Sequence, residues 1–544
     1  MNTHQKIIST IKYHNQTKHF PNRSANSAGF MDWGNQPNPF RFYQECFKID
    51  LPFRKDLKDI PFQNIYRDDV NSFEKMDLNN IGIFFEYALS ISAWKSISKT
   101  KWALRVNPSS GNLHPTESYL VTPDLGELKS GLYHYSPYLH ALEQRSLYDH
   151  SLKQKLLQQI DGEGFLIGMS SIYWRESWKY GERAFRYCHH DLGHALASLR
   201  ISANLLGWKM TCLNRPTSEE IDKILGINQN QLIDEEEIGD ILCFVHSPNG
   251  SLSSEFPSND LMEEFEKTKL MGSPNQLSKS HENWEIINEV SSSCKKDIHR
   301  EVEKESINFP IINIKKNEKY LAHEIIKKRR SAVDMDGKTF IIKDQFLNIL
   351  DRTLARPHRI PFDLHLCNSQ IHLIIFVNRV EELDQGIYIL VRNPNDLENL
   401  KENLDQSFSW TKIFEDFPLY QLFEGDVRNV ATNVSCGQEI AGDGAFSLGM
   451  LANFEKTVLV DPMTYPTLYW ESGIIGQVLY LEAHANGVMG TGIGCFFDDS
   501  VHDLIGLKNN SFQSIYHFTI GGGLKDDRLQ TLPPYHHLVR EKEF

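Results

Sequence analysis

The residues best suited to hold a polar ring system lie together in one short segment of the first half of the chain. Pro108, Ser109 and Ser110 are followed by Gly111 and Asn112. Proline fixes one backbone torsion and glycine frees another, so the segment predicts a turn with its polar side chains held in place. Hydroxyl and amide groups at such a turn can hydrogen-bond the edge of a heteroaromatic ligand. A surface turn without a ligand has the same composition, so other motifs must decide.

A cluster of cations in the second half is suited to a phosphate group. The segment Glu324–Ala332 predicts a helix that ends in Arg329, Arg330 and Ser331. Forked guanidinium donors beside a hydroxyl match phosphate oxygens. A solvated basic helix end has the same residues and is the simpler interpretation when the segment is taken alone.

Two glycine-rich segments near the end of the chain could approach a ligand closely. Gly490, Gly492 and Gly494 follow a long predicted helix, and glycine lets backbone amides come near a bound molecule. Lys525 and Arg528 follow the second glycine run and could complete a phosphate site. A flexible connection and a solvated chain end are the alternatives.

A histidine pair offers a different chemistry. His190 and His194 are one helical turn apart, a spacing that can share a zinc ion. A third ligand is not evident, and a glycine precedes the second histidine. We therefore favour a packed histidine pair over a metallohydrolase site.

Hydrophobic spacing outlines the elements that must position these residues. Leu192, Leu196, Leu199 and Ala203 form one stripe of a long amphipathic helix that should stop at Gly207. Residues 1 to about 60 predict an irregular extended arm. The other predicted elements are helices over Ile81–Trp94 and 151–160, and strands over Ser118–Val121, Gly131–Tyr135, Phe165–Ile172 and Ile241–Val245.

The composition is that of a globular enzyme rather than a nucleic-acid or membrane protein. The 544 residues allow two to four domains, and the net charge of −14 argues against a polyanionic partner. No apolar run reaches the roughly 20 residues of a membrane span, and the first 20 residues do not resemble a signal peptide. The eight cysteines form no CxxC pair, which favours a cytoplasmic protein.

Two echoes within the chain predict a tandem duplication. The segments DLGHALASLRISANLLG and GIIGQVLYLEAHANGVMG match at Gly193 and Gly476, and a second glycine pair keeps the same offset of 283 residues. A weaker echo relates Gly131-Leu-Tyr to Gly386-Ile-Tyr. Such a duplication lets one chain form a dimer-like interface within itself.

The duplication sets the expected domain boundaries. A first domain with its N-terminal arm would span residues 1–250, and a second would span 319–544. Between them, residues 251–318 are rich in Ser, Asn, Glu and Lys, which predicts a polar linker or insertion.

The motifs in this order resemble the FMN-dependent nitroreductase superfamily. The segments PSSGN, KYGERAFRY and RRS, with a glycine loop after a long helix, are similar to its SagB/ThcOx branch, the azoline dehydrogenases of peptide maturation. The resemblance implies an α+β fold, with an antiparallel-rich sheet flanked by helices in each of two tandem domains. It also implies FMN bound at an interface to which both domains contribute.

The distribution of the motifs predicts one composite site in an intramolecular pseudo-dimer. PSSGN occurs only in the first half and RRS only in the second, and the counterpart of the turn at Ala355–Phe362 has no serine pair. The resemblance then implies that one FMN binds per chain. Its phosphate would lie at Arg329, Arg330, Ser331, Lys525 and Arg528, its ring at Arg105, Pro108, Ser109, Ser110 and Asn112, and its N5 and O4 atoms at Gly492 and Gly494.

The resemblance further implies that Lys179 and Tyr180 are catalytic. Dehydrogenation of an azoline removes a proton from carbon and delivers hydride to flavin N5. A lysine cation beside a tyrosine can lower the pKa of the phenol, which would make Tyr180 a candidate base.

The substrate stays open at this stage. A modified peptide containing azoline rings is the first expectation. A small molecule reduced by NAD(P)H, such as a nitroaromatic or a quinone, is the alternative, and a non-catalytic flavin-binding scaffold is a third. No nucleic-acid or membrane partner is expected.

Overall fold

Two seven-stranded antiparallel sheets, one in each half of the chain, form the framework of an α+β fold. A computed structural model describes residues 1–53, 59–69, 71–229, 231–300, 307–312, 319–364, 366 and 368–539.

The first half and the segment after it contain helices α1 to α8 and strands β1 to β13. The helices are α1 Thr3–Gln16, α2 Leu78–Glu86, α3 His150–Gln159, α4 Tyr173–Tyr180, α5 Ala184–Leu205, α6 Ser218–Ile224, α7 Asn259–Lys267 and α8 Glu285–Cys294. The strands are β1 Tyr43–Gln44, β2 Lys48–Asp50, β3 Ile91–Ile97, β4 Thr100–Arg105, β5 Thr116–Thr122, β6 Gly131–Ser136, β7 Ala141–Leu147, β8 Ile160–Asp161, β9 Gly164–Ile172, β10 Lys209–Cys212, β11 Glu237–His246, β12 Ser251–Leu252 and β13 Ser273–Pro274.

The second half continues the numbering. Its helices are α9 Ala322–Lys328, α10 Lys343–Arg352, α11 Leu397–Asn403, α12 Arg428–Val434, α13 Glu439–Asp443, α14 Glu455–Val458, α15 Tyr465–Ala485 and α16 Asp498–Leu504. Its strands are β14 Ile371–Val377, β15 Gly386–Leu390, β16 Thr411–Phe414, β17 Phe417–Glu424, β18 Phe446–Asn453, β19 Met489–Ile493, β20 Phe512–Gly521 and β21 Gln530–Leu532.

The two large sheets have equivalent strand orders at six of their seven positions, and the seventh strand differs, since β2 comes from the N-terminal arm and β16 lies between β15 and β17 along the chain. The first runs β10-β11-β9-β5-β6-β7-β2, and the second, read in the opposite direction, runs β19-β20-β18-β14-β15-β17-β16. In the first half the long helix α5 lies between β9 and the edge strand β10. In the second half the long helix α15 lies between β18 and the edge strand β19. Gly131 and Gly386 begin the equivalent strands β6 and β15, as their sequence echo predicts, and at both a Cβ atom would collide with a carbonyl of the neighbouring strand. The topology therefore supports the duplication.

Helices α5 and α15 cross at the centre of the molecule and join the two halves. The crossing is reciprocal, because a Cβ on Gly193 would collide with the Trp470 carbonyl and a Cβ on Gly473 would collide with the His190 carbonyl. Gly193 is thus equivalent to Gly473, not to Gly476, and the sequence offset of 283 is one helical turn too long. The sequences of α5 and α15 both have small and apolar residues every three or four positions. An alignment of the two sequences that is shifted by one helical turn therefore still matches similar residues.

The hydrophobic cores are shared across this crossing. Trp470, Ile474 and Val478 of α15 pack in the core of the first sheet. In return, Phe185 and Cys188 of α5 pack in the core of the second. All of α5 is buried, as expected for a helix enclosed on every side. The C-terminal strand β21 also crosses over and pairs with β3 of the first half.

Most of the predicted elements are confirmed, including the strands β5, β6 and β9, helix α3 and the end of α5 before Gly207, whose φ is +65°. The helix predicted over Ile81–Trp94 is wrong in its second part, since α2 ends at Glu86 and Ile91 begins strand β3. β-Branched and aromatic residues at Ile91 and Trp94 favour a strand there.

The N-terminal arm is not wholly irregular, which corrects the prediction for residues 1–60. The chain forms α1, which starts with a capping box between Asn2 and Gln5. Its buried face consists of Lys6, Thr10 and Tyr13, together with His14. A polar buried face has no hydrophobic periodicity, so the sequence pattern missed it.

The described part of the predicted linker, residues 251–300 and 307–312, is folded. It contains α7 and α8, and Ile286, Ile287 and Val290 of α8 join the core of the second half. Residues 301–306 and 313–318 of that prediction lie outside the described residues. Across the described helices, none combines the length and the apolar composition needed to cross a membrane.

We predict that Gly193→Ala destabilises the protein, because the new methyl group has no space at the helix crossing. Overpacking of this kind costs about 1–3 kcal/mol, which would lower the midpoint of urea unfolding. Gly34→Ala is the control, since a Cβ there meets only Asp32 Oδ1 at 3.4 Å. Equal midpoints for the two variants would contradict the tight crossing.

Candidate functional site

A cavity of about 1200 Å³ lies where the two halves meet. The residues predicted from sequence to bind a ligand come together there. Those that line it are Arg105, Pro108, Ser109, Ser110, Asn112, Lys179, Tyr180, Arg329, Arg330, Ser331, Gly492, Gly494 and Lys525. Arg528 does not line it, because its guanidinium forms an exposed ion pair with Asp526 at 2.8 Å.

The Pro-Ser-Ser-Gly-Asn turn is held by hydrogen bonds to its own polar groups. Ser109 Oγ accepts from the His114 amide at 2.8 Å, and Asn112 Nδ2 donates to the Ala103 carbonyl at 2.8 Å. Gly111 and Asn112 both have positive φ, at 56° and 59°. Ser110 donates its amide and its hydroxyl to Asp191 of α5, at 3.0 and 3.1 Å to Oδ1. The turn is therefore tied to the central helix.

Arg329 connects the second half to the first. Its Nε and Nη2 donate to the carbonyls of Val106 and Arg105, both at 3.1 Å. Its guanidinium lies 5.0 Å from the centre of the Tyr480 ring, and Nη1 has no partner among the described residues. Burial lowers the pKa of Arg329 to about 10, so it stays charged at neutral pH. A buried cation with an unused donor is suited to an anionic ligand.

Arg330 and Ser331 follow helix α9 rather than end it, which corrects the predicted helix Glu324–Ala332. Arg330 is held by backbone carbonyls, including that of Ser92 at 3.2 Å. Ser331 Oγ donates to Tyr480 Oη at 2.9 Å, and the Gly492 amide donates to the same oxygen at 2.9 Å. Tyr480 therefore joins the basic segment to the glycine loop.

The arginine of the first half is also fixed and partly unsatisfied. Arg105 Nη2 donates to the Pro39 carbonyl at 2.5 Å, and its guanidinium lies 5.2 Å from the Phe40 ring. Its Nε, like the Asn107 side-chain oxygen, has no partner in the described part of the chain. Burial lowers its pKa to about 10. The N-terminal arm thus orients a cation at the cavity wall.

Lys179 and Tyr180 end helix α4 and face the turn. A Cβ on Gly111 would meet Tyr180 Oη at 2.7 Å and Lys179 Nζ at 3.2 Å, so both polar groups converge on this glycine. The predicted lowering of the Tyr180 pKa is wrong. Burial, followed by the Glu176 carboxylate, raises that pKa well above its ordinary value of 10.0. The phenol of Tyr180 therefore stays protonated at neutral pH and can donate a hydrogen bond.

The glycine loop has no room for side chains. A Cβ on Gly492 would collide with Tyr516 Oη, and one on Gly494 would collide with the Tyr187 ring. Arg183 Nη2 and Tyr187 Oη both donate to the Gly494 carbonyl, at 3.3 and 3.1 Å. The loop is thus held against α5, with its backbone exposed to the cavity.

Several lining residues were missed by the sequence interpretation. Asp191, Tyr480 and Tyr516 contribute side chains from the two long helices and from β20, and Gln438 adds an amide from the segment before α13. Within α5 and α15 they follow the pattern of core residues, which hides them. The one signal available in the sequence was Asp191, because an aspartate among the apolar residues of a buried helix indicates a functional site.

The histidine pair packs in the helix crossing. The His190 ring stacks on Tyr516 at 4.2 Å, and His194 Nε2 lies 3.2 Å from Tyr516 Oη. Burial lowers the pKa of both histidines. Among the described residues, no group of three histidines, cysteines or carboxylates is placed to hold a metal ion.

A smaller cavity of about 300 Å³ occupies the equivalent position in the other half. It lies against the start of α15 at Thr467 and Trp470 and against Ile241 of β11. Residues from the segment between the halves line it as well, among them Lys296 and Arg300. Lys296 Nζ donates to the Asn214 carbonyl at 2.7 Å, so the segment is anchored there.

Comparison with known proteins identifies the first half. The model of the nitroreductase family matches residues 95–244. The chain carries a nitroreductase family domain. This domain contributes the turn, α4 and α5 to the large cavity.

Two curated proteins are similar in sequence to parts of this chain. The chain is 28% identical over 130 residues to MJ1384 of Methanocaldococcus jannaschii, a protein named as a nitroreductase, over 23% of this chain and 66% of that protein. It is 28% identical over 177 residues to the trifolitoxin-processing protein TfxB of Rhizobium leguminosarum bv. trifolii, over 29% of this chain and 47% of TfxB. The chain therefore spans less than two thirds of the length of these curated relatives.

A solved structure shares the whole fold. The crystal structure of a protein described as a nitroreductase from Anabaena variabilis superposes with a TM-score of 0.65 at 20% identity. The match covers 95% of this chain and 99% of that one. The arrangement of two halves in one chain is therefore common to both.

We predict that Tyr480→Phe weakens the cavity wall, because Ser331 Oγ and the Gly492 amide lose their common partner. Each lost hydrogen bond costs about 0.5–1.5 kcal/mol, and the Gly492 amide should exchange with deuterium faster. Tyr133→Phe is the control, since that hydroxyl donates to the Lys129 carbonyl at 2.8 Å and Tyr133 is not among the residues that line the cavity. Unchanged exchange at Gly492 would contradict the role of Tyr480.

Proposed function

We propose that the protein is an FMN-dependent oxidoreductase that oxidises azoline rings in a modified peptide. The observation that supports this is that two motifs from different halves of the chain line the same cavity. The Ser109–Ser110 turn comes from the first half, and Arg329 and Ser331 come from the second.

The residues at the cavity fit FMN. Arg329 Nη1 is a buried donor without a partner among the described residues, as a phosphate site requires. The side chains of Ser110 and Asn112 offer polar groups for the edge of a ring. The backbone of Gly494 lines the cavity where a Cβ would collide with the Tyr187 ring, whereas the Gly492 amide is already bound to Tyr480 Oη. When bound, FMN would supply a two-electron acceptor for hydride.

The geometry favours one FMN per chain. In the other half, the smaller cavity has about a quarter of the volume and includes Lys296 and Arg300 of the intervening segment. The residues Ala355–Phe362, which were expected as the counterpart of the serine turn, do not line that cavity, and the Arg356 guanidinium is bound to the Phe309 carbonyl at 2.9 Å and to Asp351. The second half-site thus serves packing.

The chain's own residues would position the substrate. Lys179 Nζ and Tyr180 Oη converge beside Gly111, so they can donate hydrogen bonds to the heteroatom of an azoline ring. The cavity volume of about 1200 Å³ exceeds the roughly 300–1,000 Å³ of a typical single-ligand pocket. It has space for a cofactor together with part of a peptide.

A peptide substrate and a cytoplasmic location complete the proposal. The relative TfxB is named for processing trifolitoxin, and we extend peptide processing to this chain. The described cysteines are free thiols, a state that a reducing compartment maintains.

We predict that the protein, reconstituted with FMN, binds one flavin per chain and that Arg329→Gln weakens this binding about 10- to 100-fold. Loss of a hydrogen bond to a charged group costs about 1.5–3 kcal/mol. Flavin fluorescence titration measures the affinity, and Arg528→Gln is the control because that side chain is exposed and paired with Asp526. Two flavins per chain would contradict the composite site, and no flavin at all would contradict the proposed function.

We also predict that Lys179→Ala and Tyr180→Phe each lower azoline oxidation about 100-fold or more while FMN stays bound. A positioned proton donor contributes about that factor. Peptides containing azoline rings are assayed by the loss of two mass units. Full activity in both variants would refute the assignment. Steady NADPH consumption with a nitroaromatic, without azoline oxidation, would replace the proposal by a reductase, and flavin binding without either reaction would indicate a scaffold.

A further inference from the structure

We propose that Asp191 is the group that takes up the proton released at the cavity, and that the Ser110 hydroxyl passes the proton to it. This inference rests on the proposed function, which requires a proton acceptor and assigns none. Tyr180 does not fill that role, since its phenol stays protonated at neutral pH.

The contacts form a short path from the cavity to a buried carboxylate. Asp191 lies on α5, is 2% exposed and lines the cavity. Ser110 also lines the cavity, and its hydroxyl donates to Asp191 Oδ1 at 3.1 Å. The Ser110 amide donates to both carboxylate oxygens, at 3.0 and 3.2 Å. The serine oxygen is thus positioned between a ligand and the acid.

The other half provides an internal comparison. Glu471 of α15 is equivalent to Asp191, because the Gly193–Gly473 crossing relates positions 280 residues apart. Glu471 accepts from the Gln370 amide at 2.8 Å, just as Asp191 accepts from Ser110. Glu471 also pairs with Arg392 at 2.5 Å. The equivalent carboxylate is therefore neutralised by a buried cation.

Asp191 has no such cation. No lysine or arginine nitrogen of the described chain lies within ion-pairing distance of it, and the groups that face it are acidic or neutral. These groups are Glu176 and Tyr180 of α4, Cys188 of its own helix and Tyr516 of β20. Burying a carboxylate without a countercharge is costly, so such a group is kept where its proton is exchanged.

Burial accordingly raises the pKa of Asp191 to about 7. The neighbouring Glu176 has no hydrogen-bond partner among the described residues at either oxygen, and burial raises its pKa well above the usual range. Lys179 lies close enough to Glu176 to oppose that rise. Asp191 is the carboxylate of this group that touches the cavity, and a pKa near neutrality suits proton uptake.

The chemical step balances as follows. Oxidation of the ring would remove one hydrogen as a proton and one as hydride, and a bound flavin, which the proposed function requires, would supply the two-electron acceptor for the hydride. The proton forms a bond to Ser110 Oγ as the serine proton moves to the Asp191 carboxylate. Asp191 ends as a carboxylic acid and later releases its proton to solvent.

The test compares Asp191→Asn with Asp240→Asn in the FMN-loaded protein. Asp240 is a matched control, because it is buried, accepts from Ser171 Oγ at 2.7 Å and has a pKa raised to about 8, but it lines the smaller cavity. We expect wild-type kcat/KM for azoline oxidation to rise with pH through an apparent pKa near 7. Asp191→Asn should lose that rise and about 100-fold in kcat, while Asp240→Asn should keep both.

A second readout does not depend on turnover. Infrared titration of the flavin-free protein gives a difference spectrum, wild type minus Asp191→Asn, in which a carboxylic acid band should disappear near pH 7 while the bands of Glu176 and Asp240 cancel. An unchanged pH profile in Asp191→Asn, or the lack of that band in the difference spectrum, would overturn the proposal. Failure of the wild-type protein to bind FMN would instead refute the proposed function, and the infrared titration would still decide the state of Asp191.

Discussion

The contact between Gly193 and Gly473 determines how the rest of the molecule is arranged. Two helices can approach this closely only where neither has a side chain at the crossing, since a single Cβ on either glycine would collide with the opposite backbone. The close approach buries α5 on every side and lets α15 contribute to the core of the first sheet. The two halves therefore share their hydrophobic interiors and stabilise each other.

The crossing also creates the cavity, because each helix presents its polar residues to elements of the other half. Arg183, directly before α5, and Arg186 of α5 pair with Asp498 at the start of α16, at 3.1 and 2.8 Å. These two cations hold the pKa of Asp498 below its usual range despite its burial. The pairs lie beside the loop that ends at Gly494, so they fix that loop against α5. Removing one member of such a buried group is strongly destabilising, because it leaves a buried charge without its partner.

The sequence allowed the gathering of the site residues to be predicted, because motifs of complementary type occurred in different halves. It did not allow their contacts to be predicted. Arg330 and Ser331 were expected to end a helix, but they lie in the extended segment after α9, where Ser331 bonds Tyr480. Arg528 was expected at the cavity, but a neighbouring aspartate two residues away pairs with it first. The helix α1 was missed because its buried face is polar. Local spacing predicts elements well, whereas tertiary partners decide the charge, exposure and hydrogen bonds of each side chain.

Duplication within one chain explains why the two halves could become different. In a dimer of identical subunits, any residue that serves packing in one half-site must also serve chemistry in the other. Fusion removes that restriction, and the chain uses the freedom at equivalent positions. Glu471 pairs with Arg392 and is a neutralised structural contact, while Asp191 accepts from a backbone amide without a countercharge. A cation beside Asp191 would stabilise its ionised form and hold its pKa far below neutrality. The absence of such a cation among the described residues is what leaves one carboxylate of the pair able to exchange a proton at the cavity.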